Sequence, residues 1–255
     1  MAKAEKRLEV QAESDCIYCG GAAATMEHMP PKIMFTKKDR PPGMEFATCK
    51  ACNNGTGKVD LVASLFARLS AGGALSENEL RDLRKIRDGV MNNAPEVITE
   101  ILSDNVPVAH NPLLPNSAVV KGDLPVGIGS TYLDVFSAKL GMAMFREYMG
   151  HRLPNFGNVH SAWFLSGGLD ELGAQAFLEI LPISTMLSQG AKKSGKQFNA
   201  AINTDNRRIV AVFARFHGGL SVFSIASIIP EVMAMEFPFP NAKKVYPGEL
   251  LSMMP

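Results

Sequence analysis

The four cysteines of the chain occur as two Cys-x-x-Cys pairs, Cys16/Cys19 and Cys49/Cys52, and the sequence contains no other cysteine. Thiolates two residues apart on a tight turn can converge on one ion, and two such pairs supply the tetrahedral sulfur set that structural zinc prefers. We therefore predict that the four cysteines bind one structural Zn²⁺. Because four thiolates close the coordination sphere, any reaction chemistry must come from other residues.

The composition is that of a folded protein. Hydrophobic residues make up 46% and charged residues 20% of the 255 positions, which excludes a mainly disordered chain and allows a sizeable core. No apolar run reaches the roughly 18 residues that cross a bilayer, and residues 1–15 are charged rather than typical of a secretion signal. We expect a cytoplasmic protein without a membrane partner. In a reducing compartment, clustered cysteines favour a metal over disulfides.

The charge of the chain favours a polyanionic partner only locally. The formal net charge is +1, so the whole protein has no strong field for nucleic acid. From His28 to Lys58, however, six basic residues stand against two acidic ones, and from Lys192 to Arg215 six stand against one. Each segment is compatible with a solvated surface and with phosphate contacts, and the sequence leaves both open.

The pattern along the chain divides it into three segments. Residues 14–70 form the cysteine module and end in a predicted helix whose apolar residues run from Val59 to Leu69, before Gly72 and Gly73. Residues 71–129 are expected to be a helical and proline-rich connection. Ser76 and Glu79 form a capping box that opens a charged helix, residues 95–104 favour a short helix, and residues 105–129 are predicted to be irregular.

Residues 130–255 are predicted to form an α+β domain of unknown role. Ser130 would cap an amphipathic helix that ends at Gly150, with one apolar face. Strand patterns then follow at 161–165, 196–203, 207–216 and 220–229, and the last three indicate an antiparallel meander. The helix would cover one face of this sheet, and the tail from Met233 would pack on it. The fold class expected for the whole chain is therefore α+β.

The insert between the cysteine pairs contains the best candidates for chemistry. Three stretches carry a resemblance: CIYCGG at 16–21, EHMPPKIMF at 27–35 and CKACNNGTGKVD at 49–60. Together they resemble the His-Asn-His endonuclease superfamily, closest to the branch with an E-H-x-P motif between two Cys-x-x-Cys pairs and Asn after the last cysteine. The resemblance covers about 45 residues of the 255 and implies a ββα-metal fold for this module.

The resemblance also implies roles for individual residues. His28 would be the general base, while Glu27 and Asn53 would be ligands of a catalytic Mg²⁺ or Mn²⁺. Such roles agree with general chemistry, because a neutral imidazole can take a proton from water at neutral pH, and a hard ion bound by one carboxylate and one amide oxygen keeps positions free for a phosphate. Further candidates for phosphate or metal contacts follow in the sequence: Asn54, Lys58 and Asp60.

Two features depart from the pattern of the superfamily. Met44, followed by Glu45 and Phe46, stands where many members have the Asn that holds the hairpin and orients the base. The third conserved position of the motif is Asn rather than His, a replacement that the superfamily tolerates. Simpler interpretations also remain for single residues: Glu27 would pair with Lys32, and His28 would be structural.

The sequence thus supports three hypotheses about function. The first is a metal-dependent endonuclease that acts on DNA, in which the second domain supplies target recognition or a homo-oligomer interface. The second is a catalytically degenerate zinc module that binds nucleic acid or a protein partner, which Met44 favours. The third is an enzyme or sensor in the C-terminal sheet with the zinc module as a targeting device, but no nucleophile constellation or phosphate-binding glycine loop supports it. The other four histidines, His110, His151, His160 and His217, are expected to be structural.

Overall fold

The computed structural model describes residues 14–36, 40, 43–71, 76–102, 127–165, 197–237 and 239–255, and the backbone alone of 108–110, 118–120 and 184–185. The strands in these residues are β1 Thr25–His28, β2 Glu45–Thr48, β3 Val108–His110, β4 Ala118–Val120, β5 Asn158–Leu165, β6 Ser184–Thr185, β7 Phe198–Thr204, β8 Ile209–Phe216, β9 Leu220–Ser227 and β10 Lys243–Val245. The α-helices are α1 Lys50–Gly55, α2 Gly57–Leu69, α3 Glu77–Asn93, α4 Pro95–Ile101, α5 Ile128–Met149 and α6 Pro230–Ala234, and Lys32–Met34 form a 3-10 turn.

A six-stranded antiparallel sheet dominates the C-terminal half, in the order β10-β5-β9-β8-β7-β6. The predicted meander is confirmed, since β7, β8 and β9 pair in sequence order. Its turns use residues with positive φ, among them Asn206 at 56° and Gly218 at 75°. Asp205 closes the first turn by accepting hydrogen bonds from the backbone N–H groups of three following residues. The mixed α+β class expected from the sequence is therefore confirmed.

Helix α5 lies between this sheet and the N-terminal helices. It contacts β5, β8 and β9 on one side and α2 on another. Its end at Gly150, in the left-handed region with φ 76°, agrees with the prediction. Two expectations are wrong: the helix begins at Ile128 after Gly127 rather than at a Ser130 cap, and it is buried around nearly its whole circumference rather than on one face. The buried stretch includes three polar residues, Asp134, Ser137 and Lys139.

One hydrophobic core runs through residues from all three sequence segments. The same cluster of buried side chains includes Ile17, Val62, Val90, Phe136 and Phe216. The cysteine-rich part therefore packs directly against α5 and the sheet. The C-terminal tail contacts it as well, because the Gly248 N–H donates a hydrogen bond of 2.7 Å to the Tyr18 carbonyl.

The connecting segment contains more regular structure than expected. The capping box of α3 is confirmed, with Ser76 and Glu79 each bonding the backbone of the other, and the short helix after Pro95 is present as α4. Within residues 105–129, predicted to be irregular, β3 and β4 pair antiparallel. Gly72 and Gly73 lie outside the described residues.

Among the described helices, none combines the length and the apolarity that crossing a membrane requires.

The contact between α5 and the sheet depends on Gly141. A Cβ at this position would lie 2.5 Å from Val159 Cγ1 and 3.1 Å from Ser224 Cβ, whereas a Cβ at Gly57, at the start of α2, would meet nothing within 4 Å.

We expect Gly141→Ala to lower the free energy of unfolding, because overpacking a core contact costs about 1–3 kcal/mol while the better helix propensity of Ala returns at most about 1 kcal/mol. Gly57→Ala is the matched control and should leave stability unchanged or slightly raised. Urea denaturation of both variants measures the difference. A Gly141→Ala protein as stable as Gly57→Ala would show that the α5–β5 contact is loosely packed.

Candidate functional site

The four cysteines come together in the structure, as predicted. Their Sγ atoms all lie within 4.8 Å of one another, and those of Cys19 and Cys49 are 3.7 Å apart. Tetrahedral zinc with Zn–S bonds of about 2.3 Å separates its sulfurs by roughly 3.8 Å, so the cluster has the dimensions of a structural zinc site. Among the described residues, no other group of three or more His, Cys, Asp or Glu side chains is arranged to hold a metal.

Backbone geometry positions the thiols before any ion binds. In the first pair, the Cys16 N–H donates to the Gly21 carbonyl at 2.7 Å and the Gly20 N–H donates to the Cys16 carbonyl at 2.9 Å. Gly20 has φ 73°, a left-handed conformation that favours glycine. In the second pair, Cys49 is the N-cap of α1 and its sulfur accepts the Cys52 N–H at 3.3 Å. Amide hydrogens directed at sulfur stabilise thiolate charge.

The thiols influence one another strongly because they share one small space. A hydrogen bond from Cys52 lowers the pKa of Cys16 to about 4, while its hydrogen bond to Cys16 raises the pKa of Cys52 and burial raises that of Cys19. Negative charge on one sulfur therefore disfavours negative charge on its neighbours. A divalent cation relieves this conflict, since it allows all four thiols to ionise as ligands.

The β1–β2 hairpin directs Glu27 and His28 to opposite faces. Successive side chains of a strand alternate, and His28 lies opposite Glu45 in the antiparallel register. The His28 side chain is 25% exposed, and its Nε2 lies 3.2 Å from Glu45 Oε1. Burial lowers the pKa of His28, the positive charges of Lys32 and Arg40 lower it further, and Glu45 partly offsets them. His28 is therefore neutral at neutral pH and held by a carboxylate, which is the state that a general base requires.

Glu27 points inward and is almost completely buried. Its Oε1 lies 3.5 Å from the Nζ of Lys139, which in turn lies 2.9 Å from Asp60 Oδ1. Burial raises the pKa of Glu27 to about 7, against the opposing effect of the Lys139 charge. The simpler expectation that Glu27 pairs with Lys32 is not what the structure has, since the partner is Lys139 from α5.

The remaining candidates lie on α1 and α2. Asn53 is half-buried and its Nδ2 is 3.4 Å from the Met26 carbonyl, which joins α1 to β1. Asn54 and Lys58 are exposed. The Glu27 carboxylate therefore points to the face of β1 opposite His28 and already contacts the Lys139 ammonium, so it is not a free ligand for the expected catalytic Mg²⁺ or Mn²⁺ beside His28. The requirement for such an ion stays a prediction.

Arg40 takes a structural role that the sequence did not reveal. It is 8% exposed, its Nε donates to the Pro30 carbonyl at 2.6 Å, and its Nη2 donates to the carbonyls of Gly43 and Met44. Met44, at the position expected for Asn, has φ 54°, a conformation in which Asn is several-fold enriched, and its side chain is buried. Arg40 thus fixes the loop between β1 and β2 through the backbone, and Glu45 rather than residue 44 contacts His28.

Only part of the two basic segments can be compared with the structure. Lys37 and Lys38 of the first, and Lys192, Lys193 and Lys196 of the second, lie outside the described residues. Of the described members, Arg40 is buried, whereas Lys32 and Lys58 are exposed. Of the four other histidines, His160 stacks on Phe237, His217 lies 2.6 Å from the Met34 carbonyl and His151 is exposed, while the side chain of His110 lies outside the described residues.

We expect the purified chain to carry one zinc ion, and Cys52→Ser to lose it, because three thiolates and a hydroxyl bind zinc far more weakly than four thiolates. The loss should lower the melting temperature by at least ~10 °C, roughly 3 kcal/mol or more for a chain of this size. Elemental analysis and a thermal melt measure both effects. The control Ser14→Ala alters an exposed side chain beside the cluster and should change neither; a stable, zinc-free Cys52→Ser protein would contradict a structural ion.

Comparisons of the chain with family models, with curated proteins and with solved structures find no match. The resemblance of residues 16–60 to the His-Asn-His superfamily therefore stands on its motifs alone. The function is consequently inferred from the geometry of the hairpin and its neighbours.

Proposed function

We propose that this protein hydrolyses phosphodiester bonds of nucleic acid, as an endonuclease with His28 as general base and DNA as the first substrate to test. The observation that carries the proposal is the His28–Glu45 contact. It holds a neutral, partly exposed imidazole in a fixed orientation on the hairpin between the two cysteine pairs.

The local arrangement supports this proposal. A two-stranded hairpin leads into α1 and α2, the cysteine pairs stand before β1 and at the start of α1, and Asn53 links α1 to β1. A ββα-metal module has the same order of elements, with its base on the hairpin and its Asn on the helix. In the proposed function, the zinc ion has no direct part in the reaction and keeps these elements in register.

The chemistry follows from the contact between the two side chains. If the Nε2–H of His28 donates to Glu45, Nδ1 carries the lone pair; this tautomer is assigned from the contact. Nδ1 takes a proton from a water molecule, the water oxygen forms a bond to phosphorus, and one P–O bond to a sugar oxygen breaks. That oxygen leaves with a proton from solvent. Glu45 stabilises the imidazolium that forms, as a carboxylate does in a hydrolase triad. A catalytic Mg²⁺ or Mn²⁺ is implied by the resemblance alone.

A second candidate function follows from the position of Glu27. Because Lys139 and burial hold this carboxylate away from His28, the residue that the superfamily uses as a metal ligand has another partner. The chain would then be a degenerate zinc module that binds nucleic acid or a protein without cutting. Binding that falls steeply with added salt, combined with no cleavage in any divalent ion, would support this alternative.

We expect His28→Ala to lower the rate of plasmid nicking by about 10²–10⁴-fold, the usual contribution of a general base, with zinc content and melting temperature unchanged. Nicking of supercoiled DNA, assayed with Mg²⁺, with Mn²⁺ and without either, measures the effect. His151→Ala, which removes an exposed histidine outside the hairpin, is the matched control. Full activity in His28→Ala would eliminate His28 as the base, and an inactive wild-type protein that still binds DNA would favour the second candidate.

The pH dependence of the same reaction tests the protonation state. A base acts only when it is unprotonated, so the rate should rise with pH and level off at the pKa of His28, which lies below the ordinary value of 6.5. Glu45→Gln removes a group that raises this pKa, so the plateau should begin at lower pH while its height falls because the ring loses its orientation. Rate profiles from pH 5 to 8 measure both features. A wild-type rate that still rises with pH above pH 7 would contradict the assignment of His28 as the base.

A further inference from the structure

A buried cluster of charge joins the hairpin, α2 and α5. Lys139 has no exposed side-chain surface, and its ammonium contacts two carboxylates, Asp60 Oδ1 at 2.9 Å and Glu27 Oε1 at 3.5 Å. The ring of Tyr18 lies beside the same ammonium, with 5.8 Å between Nζ and the ring centroid. The three charged residues come from three different elements, so the cluster exists only while α5 is packed on the cysteine-rich part.

The cluster has more carboxylate oxygens than the ammonium of Lys139 contacts. Two carboxylates face one ammonium, and Glu27 Oε2 is buried without a hydrogen-bond partner. The Tyr18 hydroxyl is likewise buried without a hydrogen-bond partner, and the ring that carries it lies beside the Lys139 ammonium. A buried carboxylate oxygen without a donor is costly and needs a proton, a water or a cation.

We propose that Glu27 and Asp60 form a cation site that the ammonium of Lys139 occupies, and that removing this charge converts the pair into a binding site for a divalent metal ion such as Mn²⁺. The site lies on the inner side of β1, on the face opposite His28. Lys139 is thus an internal counter-ion that keeps a divalent ion away from Glu27, and binding of a divalent ion and the ion pairs of Lys139 exclude each other.

The chemistry of the pair fits this exchange. Carboxylate oxygens are the ligands that Mg²⁺ and Mn²⁺ prefer, and Tyr18 offers a further oxygen. With Lys139 in place, a second cation would be repelled by an ammonium in a site with little water to screen it. Without Lys139, the buried Glu27 and the half-buried Asp60 lose the ammonium that contacts them both, and an unpaired charge in such surroundings is unfavourable. A divalent ion would neutralise both carboxylates at once.

The experiment compares full-length, zinc-loaded wild-type protein with Lys139→Met, which keeps the length of the side chain and removes the charge. Each protein is titrated with Mn²⁺ and binding is followed by calorimetry and by the electron paramagnetic resonance signal of the free ion. We expect Lys139→Met to bind one Mn²⁺ at least ~10-fold more tightly than wild type, and Lys139→Met/Glu27→Gln to lose this gain. Lys243→Met removes a half-exposed lysine and should behave as wild type.

The outcomes are distinct from those of the nuclease assay, because no nucleic acid is present. Lys139→Met that folds but gains no Mn²⁺ binding would overturn the proposal, as would wild-type protein that already binds Mn²⁺ through Glu27 with the affinity of the variant. Should Lys139→Met fail to fold in buffer alone, it is refolded with and without Mn²⁺. Recovery only with Mn²⁺ would support the site, and failure under both conditions would contradict it.

Discussion

The convergence of four thiols within 4.8 Å is the constraint on which the rest of the candidate site depends. One pair precedes β1 and the other begins α1, so a single ion bound by both pairs would join the two ends of the hairpin to the following helix. The loop between β1 and β2 includes residues 29–44, and the hairpin itself has only four residues in each strand. Such a short hairpin is marginal alone. The sulfur cluster, Arg40 on the loop carbonyls and Asn53 on β1 together make it a fixed support for His28.

Glu27 and His28 are adjacent in the sequence, which suggests that they act together. The alternation of side chains along β1 separates them. Glu27 is buried and contacts the Lys139 ammonium, whereas His28 remains partly exposed beside Glu45. Each environment shifts the pKa in the direction of the neutral form, by burial in both cases. For His28 this shift favours proton acceptance from water. For Glu27 it favours internal pairing, so the chemistry of the hairpin is centred on its outer face.

Local signals in the sequence predicted much of the fold. The two Cys-x-x-Cys turns, the Ser76–Glu79 capping box, the end of α5 at Gly150 and the β7–β9 meander each depend on residues close in sequence, and the structure has all four. The contacts that decide the site are long-range: Lys139 reaches Asp60 across 79 positions. The signal in the sequence for this contact is a charged residue, Lys139, between the apolar residues Phe136 and Leu140 of α5. The sequence does not indicate that Asp60 is its partner. The partners of Arg40 are backbone carbonyls, which leave no mark in the sequence.

The surroundings of the cysteine-rich part limit where a substrate could approach. The inner face of β1 is closed by α5 through Lys139, the 3-10 turn is held by His217 through the Met34 carbonyl, and the tail covers Tyr18. A hydrophobic contact would close the inner face at least as well as a buried ion pair, since replacing such pairs by apolar residues is often neutral or stabilising. Charge at this position therefore calls for a role beyond stability. Exclusion of a metal ion from Glu27, as we propose, is such a role, and it leaves His28 on the outer face of β1 as the partly exposed group of the pair.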